Sequence, residues 1–281
     1  MKEKLKDKRK LFILVPFYMF VFVFVLMPLF YMFILSFREQ DGLWSLSDSF
    51  SFKNYLNILN PVYMETFSQS FKLAFASTFF VCIIGYPFGY FTAKLKDRKK
   101  KAVLFLLILP FWINSLIRLY GWMIFFRTGG VLDRMLMSMS FISEPLKWLY
   151  SYPVVVLGMV YMLLPFMVMS VYSVVEKMDW SHVEAARNLG ASEWTAFRTI
   201  TFRETLPGLF TGIILTFVPS MGLFYIADIL GGNKVVLVGN VIQDQLLRVH
   251  NWPFAASLSV VLMLLTIIML ILYKKMFGEK L

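Results

Sequence analysis

The chain has 281 residues, of which 59% are hydrophobic, 18% aromatic and only 16% charged. A soluble domain of this length cannot hide so much apolar surface, because its surface-to-volume ratio leaves many residues facing water. A single cysteine, Cys82, excludes a disulfide framework and a thiolate metal cluster within one chain. The basic residues behind the net charge of +11 crowd two stretches beside apolar runs, residues 2–10 and 94–101. That placement is typical of membrane-helix flanks facing anionic lipid and argues against a nucleic-acid-binding protein.

The first apolar run, residues 11–35, is predicted to be a transmembrane helix and not a cleavable signal peptide. Its 25 residues exceed the length of a signal-peptide core, and no small-x-small cleavage site follows it. A helix of that length is roughly 37 Å long, enough to cross a bilayer core of about 30 Å with some tilt. The further apolar runs predict spans at 69–93, 102–126, 152–174, 205–227 and 253–273. The predicted fold is therefore an all-α membrane protein with six transmembrane helices.

The distribution of lysine and arginine predicts the orientation of these spans. With a cytoplasmic N-terminus, 19 of the 28 basic residues lie on the cytoplasmic side and seven in the outer loops, while Lys72 and Arg118 fall within spans. An excess of this kind marks the cytoplasmic side. We therefore expect a basic cytoplasmic N-terminus at 1–10, a six-span domain at 11–273 and a cytoplasmic tail at 274–281.

The long cytoplasmic loop between the fourth and fifth spans, residues 175–204, carries the sharpest local pattern. Ser181 and Glu184 have the spacing of a capping box, which predicts a short helix starting at Ser181. Gly190 can adopt φ > 0 and end that helix, and Ser192 can cap the next one. The loop is therefore predicted to form two short helices around a glycine turn.

The same loop has the composition of a docking element. Trp194, Phe197 and Thr201 are spaced i, i+3 and i+7, so they form an apolar stripe on a helix that begins outside the membrane. The pair Ala185-Ala186 keeps one face of the first helix thin enough for close approach. A sharply turned helix pair of this kind is suited to a groove in another protein.

The loop resembles the EAA loop of the permease subunits of ABC importers. Its matching residues are Glu184, Ala185, Ala186, Gly190 and Ile200, in a loop that precedes the penultimate span, as in that family. The family usually closes the motif with Leu-Pro two residues after the isoleucine, where this chain has Phe202-Arg203. The resemblance implies the type I importer permease fold and a coupling helix that docks onto a separate ATPase.

The resemblance also implies which residues couple this chain to the ATPase. They are Glu184, Ala185, Ala186, Gly190, Trp194, Phe197 and Ile200. Glu184 has an alternative, purely structural role, because it can simply complete the capping box.

A further resemblance covers nearly the whole chain. The stretches 221–232, 239–242 and 251–256 look like those of the B-type permeases of spermidine/putrescine importers. This implies half of a translocation pathway for polyamines, in the inner or plasma membrane. It also implies two copies of an ABC ATPase, a homologous second permease and an extracytoplasmic substrate-binding protein as partners, with membrane lipid around them and no nucleic acid. No cofactor is expected on this chain, because ATP and Mg²⁺ would bind to the ATPase.

A polyamine is a flexible polycation, best held by carboxylates and aromatic faces. The candidates near the outer face of the membrane are Asp228, Tyr225, Tyr161 and Trp112. Aromatic residues at this depth also form interfacial belts, which is the alternative for the three rings. Arg118 is expected to snorkel to the headgroups, although an Arg118 facing the pathway would favour an anionic solute.

Other function classes find less support. The chain has no G-x-x-x-x-G-K-[ST] pattern, so it is not expected to hydrolyse ATP or to be an enzyme. His182 and His250 are far apart and lack neighbouring ligand residues, which argues against a metal site. Two alternatives stay open: an ABC importer permease for another small solute, and a self-sufficient secondary transporter. The latter usually needs internal repeats or acids within its spans, and the sequence shows neither.

Overall fold

The computed structural model describes residues 14–42 and 45–277, which are mostly helical. The helices are α1 (Leu14–Leu35), α2 (Lys53–Ile58), α3 (Pro61–Ala93), α4 (Asp97–Ile108), α5 (Ser115–Phe126), α6 (Val131–Ser138), α7 (Tyr152–Val175), α8 (Ser181–Asn188), α9 (Glu193–Gly222), α10 (Val238–Leu247) and α11 (Trp252–Phe277). A small hairpin consists of β1 (Arg38–Gln40) and β2 (Leu46–Phe50).

Five of these helices, α1, α3, α7, α9 and α11, are long and apolar enough to cross a membrane. A sixth span results when the bent pair formed by Asp97–Trp112 and Ser115–Ser138 is counted as one. The predicted six-span architecture is confirmed in this sense, with residues 11–13 of the first predicted span lying outside the described residues.

The third predicted span, 102–126, is a broken helix. A 3₁₀ turn, Leu109–Trp112, follows α4, and Pro110 within it has no N–H to continue the helical ladder. Ile113 is extended, with φ −91° and ψ 137°, and Asn114 then caps α5 by accepting a backbone N–H at 2.8 Å. The two arms consequently meet at 94°. Hydrophobicity alone does not report the direction of the backbone, so the break is invisible in the apolar run.

The fifth predicted span, 205–227, also differs from the structure. Helix α9 begins earlier, in the preceding loop, and ends at Gly222, where Leu223 (φ −81°, ψ 52°) interrupts the helix. A π-helical turn, Ala227–Gly231, follows shortly afterwards. Gly232, at φ +56°, ends this π-helical turn and begins a 3₁₀ turn, Gly232–Lys234.

Helix α7 is the most deeply buried of the long helices, and glycines let its neighbours approach closely. A Cβ on Gly89 of α3 would lie 2.8 Å from the carbonyl oxygen of Val168, and one on Gly208 of α9 would lie 2.9 Å from that of Ser170. Small residues at such contacts are a common basis for packing between membrane helices. Helices α3 and α9 therefore pack backbone to backbone against α7.

The described residues divide into two compact units. One contains residues 14–64 and 241–265, and the other contains residues 65–240 and 266–277. The 175–204 loop and all the predicted pathway residues belong to the second unit.

The hairpin lies in the first unit and departs from the all-helical prediction. Its strands are antiparallel, with Arg38 opposite Phe50. The side-chain amide of Asn54 on α2 donates to the carbonyl oxygens of Ser36 and Arg38, at 3.2 and 2.8 Å. Such short polar strands have no apolar run, which is why a search for membrane spans does not detect them.

Candidate functional site

Helix α8 begins where the sequence places it, but with a different cap. Ser181 is its first helical residue, and its N–H donates to Oδ1 of Asp179 at 3.0 Å. The carbonyl oxygen of Trp180 accepts the N–H groups of Val183 and Glu184, both at 3.1 Å. The predicted capping box is therefore wrong, because Asp179 and the Trp180 carbonyl take up the N–H groups at this end of the helix. The hydrogen bond from Ser181 also holds the pKa of Asp179 below its ordinary value.

The turn that follows α8 confirms the prediction. Gly190 has φ +90°, and its N–H and the next one donate to carbonyl groups of the last helical turn, at 3.0 Å each. Ser192 then caps α9, since its Oγ accepts the N–H of Thr195 at 3.2 Å. The two helices are thus joined by a turn that depends on a left-handed glycine.

The seven predicted coupling residues separate into two sets. Four are exposed (Glu184, Ala185, Gly190 and Trp194) and three are half-buried (Ala186, Phe197 and Ile200). Trp194 is 69% exposed, and Leu189, which the sequence analysis did not single out, is 89% exposed. The signal for Leu189 was a large apolar residue placed directly before the glycine turn. Both apolar side chains flank the turn and are available to another protein.

The half-buried part of the aromatic stripe attaches α9 to α3. The ring of Phe197 lies 5.5 Å from that of Tyr90, measured between centroids. One turn earlier on α3, Tyr86 packs edge-on against Phe202 at 5.7 Å, and its hydroxyl forms a 2.8 Å hydrogen bond with Thr205. These contacts join the beginning of α9 to the end of α3.

Lys94, just beyond the end of α3, forms what we term the lysine link. Its Nζ lies 4.3 Å from the ring centroid of Tyr90 and 4.6 Å from that of Trp180. An ammonium between two aromatic faces is held by their negative electrostatic potential. Because Trp180 immediately precedes α8, this contact connects the start of α8 to α3. This contact was not predictable, since Lys94 falls in a basic stretch typical of lipid-facing flanks.

A second contact, the histidine link, connects α8 to α9. Nδ1 of His182 lies 2.8 Å from Oε1 of Glu204. The hydrogen bond to this carboxylate, together with its charge, raises the pKa of His182 above its ordinary value of 6.5. The protonated imidazole is therefore favoured while the two side chains remain in contact.

An open cavity of about 730 Å³ lies beside the loop. Its lining is largely aromatic and includes Tyr86, Tyr90, Trp180, Trp194, Phe197 and Phe202. Lys94 and Arg187 add two positive charges, and Glu193 adds one negative charge. The loop thus borders an open aromatic surface and not a filled core, which leaves room for it to shift.

Among the pathway candidates, Asp228 has the most defined surroundings. It is exposed on the π-helical turn, and its Oδ1 accepts a hydrogen bond of 2.5 Å from the side-chain amide of Asn240. The other side-chain atom of Asn240, Oδ1, accepts the N–H of Leu237 at 2.8 Å. Asn240 therefore positions the carboxylate. Sequence reasoning missed this residue because the contact joins α10 to a separate helical turn.

The three aromatic candidates occupy separate elements. Trp112 is 74% exposed and packs against Phe105 at 5.8 Å. Tyr225 is half-buried and lies three residues before Asp228 in the sequence. Tyr161 is half-buried on α7, where the guanidinium carbon of Arg118 lies 5.6 Å from its ring centroid. The cation next to Tyr161 in this structure is therefore the side chain of Arg118.

Five apolar helices and a bent helix pair are the architecture of a multi-pass membrane protein. Residues 85–276 match the family described as "Binding-protein-dependent transport system inner membrane component". The match spans more than half of the chain and includes the 175–204 loop. The chain belongs to this family and is a multi-pass membrane protein.

Within this family, individual proteins similar to the chain have known names. The spermidine/putrescine transport system permease protein PotB of Escherichia coli (strain K12) is 41% identical over 251 residues, covering 89% of this chain and 91% of that protein. PotB of Haemophilus influenzae (strain ATCC 51907 / DSM 11121 / KW20 / Rd) is 40% identical over 250 residues, covering 89% and 87%. The crystal structure of a bacterial alginate ABC transporter in complex with alginate pentasaccharide-bound periplasmic protein aligns with a TM-score of 0.75, over 99% of this chain and 96% of that one. At 15% identity, that alignment shows a shared fold alone.

Proposed function

We propose that this chain is the permease subunit of an ATP-binding-cassette importer for polyamines, in which it forms half of the translocation pathway. The observation that carries the proposal is the 40–41% identity to spermidine/putrescine permeases over 89% of the chain. The matched part of the chain is 250–251 residues long, so the assignment does not depend on one motif.

The 175–204 loop is the proposed contact with the ATPase. Leu189 and Trp194 supply exposed apolar area on either side of the Gly190 turn. An exposed aromatic side chain next to a shaped turn is a typical anchor for a partner's groove. In this arrangement Glu184, Ala185 and Ala186 lie on the docking helix, while Phe197 and Ile200 carry its movement into α9.

The proposed assembly follows from the number of loops. One chain offers one coupling loop, whereas a pair of ATPase subunits offers two grooves. A complete importer therefore contains a homologous second permease, two ATPase subunits and an extracytoplasmic binding protein. Both termini of this chain are cytoplasmic, ATP and Mg²⁺ bind to the ATPase, and this chain holds no cofactor.

The proposed solute contacts lie around the break after α9. Asp228 is exposed and held in place by Asn240, so it can attract an amine without first being ordered. Tyr225 lies three residues before it, and a tyrosine ring adds a face for an ammonium group. Tyr161 and Trp112 are the further aromatic candidates.

The test is uptake of labelled spermidine and putrescine by cells that lack their own polyamine importers. We expect uptake when all four kinds of subunit are produced, and none when this chain is omitted or the ATPase is catalytically inactive. Uptake of a different small solute, with no binding of amines by the extracytoplasmic protein, would contradict the polyamine assignment and leave the permease role intact. Uptake by this chain alone, driven by an ion gradient, would instead identify a secondary transporter.

A further inference from the structure

Arg118 on α5 is held between two aromatic rings. Its guanidinium carbon lies 4.9 Å from the ring centroid of Phe111 and 5.6 Å from that of Tyr161. These contacts satisfy the faces of the planar guanidinium group, which interacts with aromatic rings through its flat surface. Its N–H groups point outward in the plane of the guanidinium, along its edge, so they need hydrogen-bond acceptors other than these two rings.

Two of the three nitrogens on that edge lack a hydrogen-bond acceptor within the described part of the chain. Nε and Nη1 of Arg118 are buried, and neither has a hydrogen-bond partner among the described residues, 14–42 and 45–277. Buried polar groups in proteins are nearly always hydrogen-bonded, and an unpaired charged group is the most costly exception. The chain alone therefore leaves this cation incompletely satisfied.

The depth of Arg118 argues against lipid phosphate as the missing acceptor. Tyr161 is the tenth residue of the 24-residue helix α7. At 1.5 Å per residue, it lies about 14 Å from one end of that helix and about 21 Å from the other. The guanidinium is therefore engaged with a ring within the span and not directed to the end of a helix, in contrast to the expectation that Arg118 snorkels to the headgroups. An ionisable residue at such depth usually has a partner within the protein assembly.

This chain does not offer that partner within its spans. None of the six predicted spans contains an aspartate or a glutamate. Two elements packed against α5 carry an acid. Asp228, in the π-helical turn, accepts from Asn240, and Asp133 on α6 accepts from Gly129 and Trp148. Under the proposed function the solute is a polycation, which would be repelled by the guanidinium.

We propose that Arg118 forms an ion pair with a carboxylate carried by a membrane span of the second permease. The proposal rests on the proposed function, which supplies that subunit. The neighbouring surface of α5 is free to receive a helix, since Ile117, Tyr120 and Ile124 are exposed and no described atom lies within 4 Å of a Cβ built on Gly121. Nε and Nη1 are buried by other atoms of this chain. In the proposed ion pair, the guanidinium therefore rotates about its side-chain bonds to reach the carboxylate of the second permease.

The experiment uses the complete importer and measures how much second permease is recovered with the tagged chain, at equal membrane abundance. Arg118→Met should lower the recovery about tenfold or more, because it leaves the partner carboxylate buried and unpaired. Arg118→Lys should retain part of it, as a point charge without the planar fork. Lys72→Met is the matched control, because Lys72 is the other basic residue within a predicted span and is exposed. It should leave the recovery unchanged.

A charge exchange identifies the partner. Starting from Arg118→Asp, selection for restored uptake should yield Lys or Arg in place of an acidic residue within a span of the second permease. Full recovery and normal uptake with Arg118→Met would overturn the proposal, and so would full recovery with an altered solute preference, which would place Arg118 in the pathway. A loss of recovery in Asp228→Asn equal to that of Arg118→Met would point to a pair within this chain and also overturn it. If the wild-type chain recovers no second permease, the proposed function itself fails.

Discussion

At the scale of single residues, Asp228 and Asn240 form a hydrogen-bonded pair near the break after α9. Asn240 uses both ends of its side chain, donating to Asp228 and accepting from the backbone of Leu237. The carboxylate is therefore held by a hydrogen bond from Asn240. This arrangement suits recognition of an amine, because the acceptor is oriented before the solute arrives.

Replacing Asp228 by Asn should lower polyamine uptake by about tenfold, since a hydrogen bond to a charged acceptor contributes about 1.5–3 kcal/mol. Asp228→Glu should be partly tolerated because the charge is retained. Asp244→Asn is the matched control, as this acid lies on the following helix and pairs with Arg248 at 3.3 Å. Uptake is compared at equal membrane abundance, with ATPase stimulation recorded alongside. Unchanged uptake of both spermidine and putrescine in Asp228→Asn would remove this residue from the pathway.

Gly190 offers a test of the coupling turn that separates backbone strain from crowding. A Cβ at this position would meet no described atom within 4 Å, but the residue has φ +90°. Gly190→Val should therefore act only through the backbone, and it should abolish uptake and ATPase binding while the chain still inserts in the membrane. Gly190→Asn should retain much of both activities, since asparagine tolerates the left-handed region. Normal copurification of the ATPase with Gly190→Val would contradict the docking role.

At the scale of elements, α8 is attached to the rest of the chain by few contacts. Each of its residues is exposed or half-buried, so no packed core holds it. The lysine link joins its start to α3, and the histidine link joins its first turn to α9. Arg187 near the end of α8 also pairs with Glu193 at the start of α9, at 3.3 Å. A displacement of α8 by the ATPase would therefore reach two different membrane helices through three contacts.

We expect the lysine link to affect coupling more than stability. Lys94→Met keeps the length of the side chain but removes its charge, and it should raise the ATP hydrolysed per solute transported about 2- to 5-fold, the range of an exposed cation–π contact. Lys94→Arg should behave like the wild type, because a guanidinium also binds aromatic faces. Lys96→Met, an exposed neighbour in the same basic stretch, should have no effect. An equal change in Lys94→Met and Lys96→Met would show that only the charge of the stretch matters.

The histidine link should make the stability of the loop depend on pH. The pKa of His182 is raised in the folded chain, so its contribution is complete below the ordinary value of 6.5 and is lost as the pH rises through the raised pKa. The thermal unfolding midpoint of the purified complex should therefore fall as the pH rises from about 6.5 through the raised pKa of His182, and the fall should be smaller in high salt. His182→Gln should remove this pH step, and His250→Gln should leave it in place. A step of the same size in His182→Gln would assign it to another group.

Local features of the loop were predictable from the sequence, whereas contacts between distant elements were not. Gly190 and Ser192 act through their own backbone conformation and nearest neighbours, and both were predicted correctly. The bend before α5 was missed, because an extended residue within an apolar run leaves hydrophobicity unchanged. Lys94 and Asn240 each make their contacts with a separate element, and no periodic pattern in the sequence indicates such pairs.

At the scale of the whole molecule, the proposed orientation can be tested with single cysteines. In the segment between the third and fourth spans, Asp133 is unsuitable as a labelling position. It is fully buried, and its carboxylate accepts hydrogen bonds from Gly129 at 2.7 Å and Trp148 at 2.9 Å. A probe there would disrupt the outer loop, while the adjacent Arg134 is exposed.

In a Cys82→Ala background, cysteines replacing Asp97 and Glu193 should react only with reagent on the cytoplasmic side. A cysteine replacing Arg134 should react only from outside. All three native residues are exposed, so access and not burial decides the labelling. Labelling of position 193 in intact cells by an impermeant reagent would invert the proposed topology and remove the coupling loop from the cytoplasm.

The uninterrupted course of α9 has a mechanical consequence. One helix runs from Glu193, beside the glycine turn, to Gly222, beside the break that precedes Asp228. Thirty residues form a rod about 45 Å long, and its contact with α7 at Gly208 lies near the middle. When α9 pivots at this contact, its two arms are nearly equal, about 22 and 21 Å, so a tilt of about 5° moves both ends by about 2 Å in opposite directions. The helix can thus act as a rocker, which returns a push at the docking end as a shift of similar size and opposite direction beside Asp228.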